Sequence, residues 1–147
     1  MASKSATITA AITTLDRLLQ GERSAVATYE QAQRHLAGQY APELEANRVC
    51  HVGRVDALVH RITALGGKPS TTGGAWVGFT RAIEGTAALL GDGAVIAALE
   101  QGEDIGLDSY RAPLLELDPT SRHLVTDDLL PAQERTHQRM SGVKASR

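Results

Sequence analysis

The chain has 147 residues, the length of one domain that can bury a sizeable core. Its net charge of −2, with acidic and basic residues interspersed, gives no basic face, so we expect no nucleic-acid partner. The single cysteine excludes an internal disulfide, and with the polar start "MASKSATITA" it predicts a cytoplasmic protein without a signal peptide. No apolar stretch is long enough for a membrane helix, so we expect no membrane partner.

Hydrophobic periodicity predicts helices from the start of the chain, and the alternation typical of strands is absent. The first helix runs from about Ser5 or Thr7 to about Leu36. The second helix begins near Pro42, whose missing N–H costs nothing in a first turn, and ends at "LGGKP". Together the two helices predict a helical hairpin over residues 5–66.

A short apolar helix is predicted over residues 74–90, after the linker "PSTTGG". Apolar side chains occur on several sides of this stretch, among them Trp76, Phe79 and Ile83. A helix with this pattern must be covered by the bundle or by another subunit. We therefore expect a homo-oligomer, with a dimer favoured, and treat these three residues as interface candidates.

A second helical hairpin is predicted over residues 92–142. Asp92 is a suitable cap for the third helix, which ends near Pro113, and Asp118 followed by a proline starts the fourth. Pro131 lies inside the fourth helix, where we expect a kink or local opening. The fold class is thus all-α: one domain, 1–147, built as an antiparallel four-helix bundle with a short fifth helix between its two hairpins.

Two glutamates occupy positions of the apolar stripes where a core residue is expected. Glu22 and Glu103 both follow Gln-Gly, and each precedes a tyrosine by seven residues, Tyr29 and Tyr110 respectively. The two segments, "LLQGERSAVATY" and "LEQGEDIGLDSY", are therefore repeat partners. A buried carboxylate without a partner costs several kcal/mol or becomes protonated, so both glutamates need an explanation.

Polar residues also interrupt the stripes of the second and fourth helices. Arg48 and His51 are three residues apart on the second helix, and Glu134 and His137 have the same separation on the fourth. This pattern is nearly that of di-iron carboxylate bundles, which use a Glu from each of two helices and Glu-x-x-His from each of the other two. Carboxylates neutralise and bridge the ions, and neutral imidazoles complete their coordination.

Two explanations of the buried carboxylates remain open at this point. A metal ion is one, with Glu22, His51, Glu103, Glu134 and His137 as its ligands. The other is Arg48, as a buried counter-ion that neutralises the carboxylates without any metal.

The sequence also resembles a known family in the order and spacing of its motifs. The two Gly-Glu segments, "LGGKPSTTGG" before a helix with Trp76, "LEQGED" and the late Glu-x-x-His are together similar to a small ferritin-like group. In that group, bacterial four-helix bundles carry a domain of unknown function, and the resemblance extends from about Leu15 to about Met140. The wider ferritin-like superfamily implies iron binding, ferroxidase activity or oxygen chemistry at the matching positions, which are Glu22, His51, Glu103, Glu134 and His137.

One position departs from the superfamily pattern, since Arg48 stands where a di-iron protein has a glutamate. The leading hypothesis is a ferritin-like protein with a degenerate carboxylate and histidine site that binds iron, mononuclear or dinuclear, in metal or oxidative-stress handling. The alternative is a metal-free oligomerising or adaptor bundle with a buried Arg–Glu network and no catalysis. Whether the protein is an enzyme is left open by the sequence.

Overall fold

The structure is a computed structural model that describes residues 3–36, 38–74, 90–112 and 114–147. Helix α1 spans Lys4–His35 and α2 spans Ala41–Ala64, with a single 3-10 turn at Gly38–Tyr40 between them. The Ser3 side chain caps α1 by accepting a hydrogen bond from the Ala6 amide. Throughout the described residues, regular secondary structure is entirely helical, as the sequence predicted.

The second half of the chain contains two further long helices. Helix α3 spans Asp92–Arg111, and a 3-10 turn at Leu114–Glu116 follows it. The fourth helix, here called α4, consists of three consecutive stretches: α-helical Pro119–His123, π-helical Leu124–Leu129 and α-helical Leu130–Ala145. Asp118 caps its start by accepting a hydrogen bond from the Ser121 amide.

The π-helical stretch lies directly before Pro131, where the sequence predicted a local opening. Proline has no N–H, and its ring clashes with the backbone of the preceding turn, so an α-helical hydrogen bond is lost there. The wider turn accommodates this loss, because the Leu130 amide bonds to the Val125 carbonyl five residues back.

Helix α1 packs on α2, α3 packs on α4, and further contacts join α1 to α3 and α2 to α4. The buried apolar side chains form two separate clusters. One cluster includes Leu15 of α1 and Leu58 of α2, and the other includes Ala32 of α1 and Leu44 of α2. Most of the buried polar residues lie in a layer between these clusters, so each long helix passes from apolar to polar and back to apolar surroundings.

The predicted connecting helix, residues 74–90, lies almost entirely outside the described residues, and so do its interface candidates Trp76, Phe79 and Ile83. Within the described ranges, no helix combines the length and the apolar content that crossing a membrane requires.

Candidate functional site: a buried ionic cluster

Four charged or titratable side chains meet in the polar layer, and we call them the ionic cluster. They are contributed by three helices: Glu22 by α1, His51 and Arg54 by α2, and Glu103 by α3. All four are nearly inaccessible to solvent, with exposed fractions of 2–4 %. The cluster therefore brings together three of the five ligands that the sequence predicted, and adds an arginine that it did not.

His51 lies between the two carboxylates. Its Nδ1 is 2.6 Å from Glu22 Oε2, and its Nε2 is 2.8 Å from Glu103 Oε1. The imidazole thus joins α1 to α3 from its position on α2. Each carboxylate makes its contact through a different ring nitrogen, so no vacant ring nitrogen faces a space between the two carboxylates.

Each repeat tyrosine donates a hydrogen bond to the glutamate of the other repeat. The Tyr29 hydroxyl on α1 lies 2.6 Å from Glu103 Oε1, and the Tyr110 hydroxyl on α3 lies 2.6 Å from Glu22 Oε1. The order of these contacts along α1 is therefore the reverse of their order along α3. The tyrosine spacing that identified the repeat in the sequence is explained by these crossed contacts.

Arg54 is the buried cation of the cluster. Its Nη1 is 3.5 Å from Glu22 Oε1 and also donates to the side-chain oxygen of Gln133. Its Nη2 donates to the Thr136 hydroxyl at 3.1 Å. A guanidinium held between a carboxylate and neutral acceptors offsets the negative charge of the buried layer.

Helix α4 contributes two neutral residues, Gln133 and Thr136. The Gln133 amide donates to both the backbone carbonyl and Oε2 of Glu103, each at 2.8 Å, and the Thr136 hydroxyl lies 2.7 Å from the same Oε2. Gly106 of α3 permits this approach, because an added Cβ there would overlap the Gln133 amide. Glu103 consequently has donors from Tyr29, His51 and both α4 side chains, and its carboxylate is fully hydrogen-bonded.

The surroundings stabilise the charged forms of both carboxylates. Burial raises the pKa of Glu22, but the charges of Arg54 and His51 and the hydrogen bonds outweigh it, so the pKa lies below its ordinary value. Burial likewise raises the pKa of Glu103, and hydrogen bonds from His51, Tyr29 and Thr136 together with the His51 charge lower it overall. Both side chains are therefore carboxylates at neutral pH.

The same interactions act on the hydrogen-bond donors. Burial and the Arg54 charge lower the pKa of His51, but the Glu22 charge and the hydrogen bonds to both carboxylates raise it overall. Burial and the neighbouring glutamates raise the pKa values of Tyr29 and Tyr110 well above the ordinary range. Both hydroxyls therefore keep their protons and remain donors.

The prediction that Arg48 is the buried counter-ion is wrong. Arg48 lies at the surface, with 28 % of its side chain exposed, and forms an ion pair with Glu45 at 2.7 Å. Arg54 takes the role instead. Both arginines are three residues from His51, one on each side, so spacing relative to His51 cannot distinguish them.

The prediction that Glu134 and His137 face the buried glutamates is also wrong. Glu134 has 46 % of its side chain exposed, and its nearest charged partner is Arg111, at 3.9 Å. His137 Nε2 lies 2.5 Å from Asp104 Oδ1 on the outer side of α3. The inward positions of α4 are each one residue earlier, at Gln133 and Thr136.

The sequence does contain a signal for this correction. The predicted face of α4 continues to Ser141, whereas the observed face continues to the apolar Met140 and Val143, which are buried. The later part of the helix therefore favours the observed face. On α2 the inner face likewise holds the residue one position earlier than predicted, because Asn47 is buried there and Arg48 is not.

The residues present do not fit the metal site that the family resemblance implies. Where the structure describes the chain, no group of three or more His, Cys, Asp or Glu side chains is arranged to hold a metal ion. Both nitrogens of His51 are hydrogen-bonded to carboxylates, and the charge of Arg54 adds repulsion toward any cation. The α4 positions that would supply further ligands hold an amide and a hydroxyl.

A cavity of about 430 Å³ adjoins the cluster between α1 and α3. Glu22, His51 and Glu103 line part of it. Repeat partners also line it in pairs, namely Gly21 with Gly102, Ala25 with Gly106, Thr28 with Ser109, and Tyr29 with Tyr110. The cavity thus follows the same internal repeat as the cluster.

Comparison with known proteins gave no match: no family model, no curated protein and no solved structure matches this chain.

Proposed function

We propose that the chain is a ferritin-like, antiparallel four-helix bundle whose inner site is a metal-free ionic cluster. Four features support the fold: short turns join α1 to α2 and α3 to α4, the two helix pairs pack side by side, the tyrosine contacts are crossed, and the polar layer lies midway between two apolar clusters. Crossed contacts between equivalent residues are the pattern expected of helices that run in opposite directions.

In this proposal the protein is an oligomerising or adaptor module, and the cluster has a structural role rather than a catalytic one. The observation that carries the proposal is His51, which engages Glu22 through one ring nitrogen and Glu103 through the other. Buried carboxylates that are already paired and hydrogen-bonded need no metal to account for them. The proposed partner surface is the apolar stretch around Trp76, which is an expectation from the sequence.

Elemental analysis of purified protein tests the proposal. Fe(II) is added anaerobically, the excess is removed, and bound metal is counted per chain. We expect less than about a tenth of an iron per chain, whereas a di-iron carboxylate site retains about two. Iron at about one or two per chain would overturn the proposal and restore the metal hypothesis.

Two matched variants make this measurement specific. Glu103→Gln removes a carboxylate of the cluster, and Glu134→Gln removes a surface carboxylate that the sequence predicted as a ligand. Iron that is lost only in Glu103→Gln would be bound at the cluster. Light scattering on the same samples gives the molar mass in solution. The mass of a single chain at all protein concentrations would contradict the oligomerising role.

A further inference from the structure

With Glu22 and Glu103 both ionised, the two contacts of His51 are satisfied together only by a proton on each of its ring nitrogens. A carboxylate oxygen is an acceptor only, and one faces Nδ1 at 2.6 Å while another faces Nε2 at 2.8 Å. A neutral imidazole has one donor nitrogen and one lone pair, so it satisfies only one of these contacts. The observed pair of distances is that of an imidazolium between two carboxylates.

We propose that His51 is a proton-dependent clamp between the two repeats of the chain: the doubly protonated ring ties α1 to α3, and loss of one proton breaks its contact with one of these helices. This inference rests on the proposed metal-free cluster, and it adds a regulatory property to it. The released contact is the one between His51 and Glu103, for the reasons below.

Arg54 does not supply an alternative partner for the ring nitrogens. Its Nη2 lies 2.8 Å from Nδ1 and 3.2 Å from Nε2 of His51. The lone-pair directions of the two ring nitrogens diverge, so a group this close to both lies over the face of the ring rather than in its plane. The in-plane positions of both nitrogens are thus left to the carboxylates.

The charges that face His51 balance only when the ring is protonated. Helix α1 presents Glu22 and the neutral Tyr29, and α3 presents Glu103 and the neutral Tyr110. Helix α2 presents the Arg54 guanidinium, with the Cys50 thiol nearby. Helix α4 presents Gln133 and Thr136, which do not titrate. Two carboxylates are thus balanced by one guanidinium and one imidazolium, and deprotonation of His51 leaves one negative charge buried.

The two carboxylates differ in what they retain when His51 loses a proton. Glu103 keeps three close donors, from Tyr29, Gln133 and Thr136. Glu22 keeps the Tyr110 hydroxyl at 2.6 Å and Arg54 at 3.5 Å. The remaining ring proton therefore stabilises the cluster more on Nδ1, where it faces Glu22. The lone pair of Nε2 then repels Glu103 Oε1. Loss of the proton therefore breaks the His51 contact with α3, while the tyrosine contacts between α1 and α3 remain.

Nitrogen NMR of the full chain with 15N-labelled histidine tests the clamp. The chain has five histidines, and comparison with His51→Gln assigns the signal of His51. At pH 7 we expect both ring nitrogens of His51 to have the shifts of protonated nitrogens. We expect its titration midpoint to lie above the ordinary range of histidine, and the product to be the Nδ1–H tautomer. A neutral His51 at pH 7 would overturn the proposal.

Hydrogen exchange provides a second measurement that does not depend on any variant folding. After correction for intrinsic exchange rates, amides of α3 near Glu103 should lose protection above the His51 midpoint, while amides of α1 near Glu22 keep theirs. Equal protection of α3 on both sides of the midpoint would contradict the release. The two proposals also fail separately. If the metal-free protein has a doubly protonated His51 but binds iron when iron is added, only the metal-free function is overturned. If the protein binds no iron and His51 is neutral, only the clamp is overturned.

Discussion

Tyr29 on α1 donates a hydrogen bond to Glu103 on α3 at 2.6 Å, although its own repeat segment also contains a glutamate, Glu22. Tyr110 returns the same contact to Glu22 at the same distance. The Glu and Tyr of one repeat therefore do not pair with each other but with the opposite repeat. A motif that is repeated in the sequence thus forms a single buried unit, and His51 joins the two glutamates at its centre.

A double-mutant cycle tests the crossed pairing. Tyr29→Phe should lower the free energy of unfolding by about 1.5–3 kcal/mol, because it removes a donor to a buried charged group. Combined with Glu103→Gln, it should show a coupling energy within the range of about 0.5–3 kcal/mol that is typical of residues in contact. The measurement is urea unfolding of the wild type, both single variants and the double variant.

The same cycle with Glu22→Gln in place of Glu103→Gln is the matched control. The Tyr29 hydroxyl donates to Glu103 and not to Glu22, so the coupling should be clearly smaller than with Glu103. Equal coupling to both glutamates would argue against crossed pairing. Tyr110→Phe reverses the test, since it should couple to Glu22→Gln more strongly than to Glu103→Gln.

Removal of the buried arginine should be costly. Arg54→Met should destabilise the protein by about 3–5 kcal/mol, because it leaves the carboxylates of the cluster with one positive charge too few. Arg48→Met provides the control, since the side chain of Arg48 is at the surface, and it should leave the unfolding midpoint unchanged. Equal losses in the two variants would contradict the assignment of Arg54 as the buried counter-ion.

Which face of α4 is buried can be tested with alanine variants at neighbouring positions. Gln133→Ala should cost about 1–3 kcal/mol, and so should Thr136→Ala, because each leaves buried donors or acceptors of the cluster unsatisfied. Glu134→Ala and His137→Ala change residues on the outer side and should have little effect on stability. Thermal unfolding of the four variants is sufficient, and the reverse order would restore the face predicted from the sequence.

Local sequence signals were sufficient to predict that the chain is helical and where most helices begin and end. Capping by Asp118, the stop after α2 and the opening near Pro131 all depend on residues within one turn of the feature. The partnership of Glu22 with Glu103 could also be predicted, because an internal repeat places equivalent residues in equivalent surroundings. These parts of the prediction needed no knowledge of tertiary contacts.

The early part of the inner face of α4 does not follow an ideal α-helix. Ser121, Val125, Leu129 and Gln133 are all buried, at three successive steps of four residues. In an α-helix each such step overshoots a full turn by about 40°, so the face would drift by about 120° over this stretch. The π-helical turn at Leu124–Leu129 takes up the excess and keeps these residues on one face. A pattern at 3.6 residues per turn extended from Ser121 would therefore reach position 132 rather than Gln133. The predicted face at Glu134 and His137 is displaced in the other direction, because it follows the Glu-x-x-His motif and not the apolar positions of the helix.

The stability of the protein should depend on pH in a way that identifies the proton on His51. A histidine whose pKa is raised by folding contributes stability that is complete below its ordinary pKa and is lost as pH rises through the folded value. Glu22 and Glu103 have pKa values lowered by folding, so their contribution is complete above their ordinary range and is lost as pH falls. We expect maximal stability between about pH 5 and pH 6.5, with a decline on each side.

The alkaline decline is the more specific of the two. Surface carboxylates with lowered pKa values, such as Glu45 at about 2, also contribute to the acid decline, which therefore does not isolate the cluster. On the alkaline side, Tyr29 and Tyr110 have pKa values well above the ordinary range, so His51 is the group of the polar layer expected to titrate first. Urea unfolding measured from about pH 5 to pH 9 should show a decline in the wild type that is absent in His51→Gln. A decline of equal size in both proteins would assign it to another group and leave His51 neutral in the folded state.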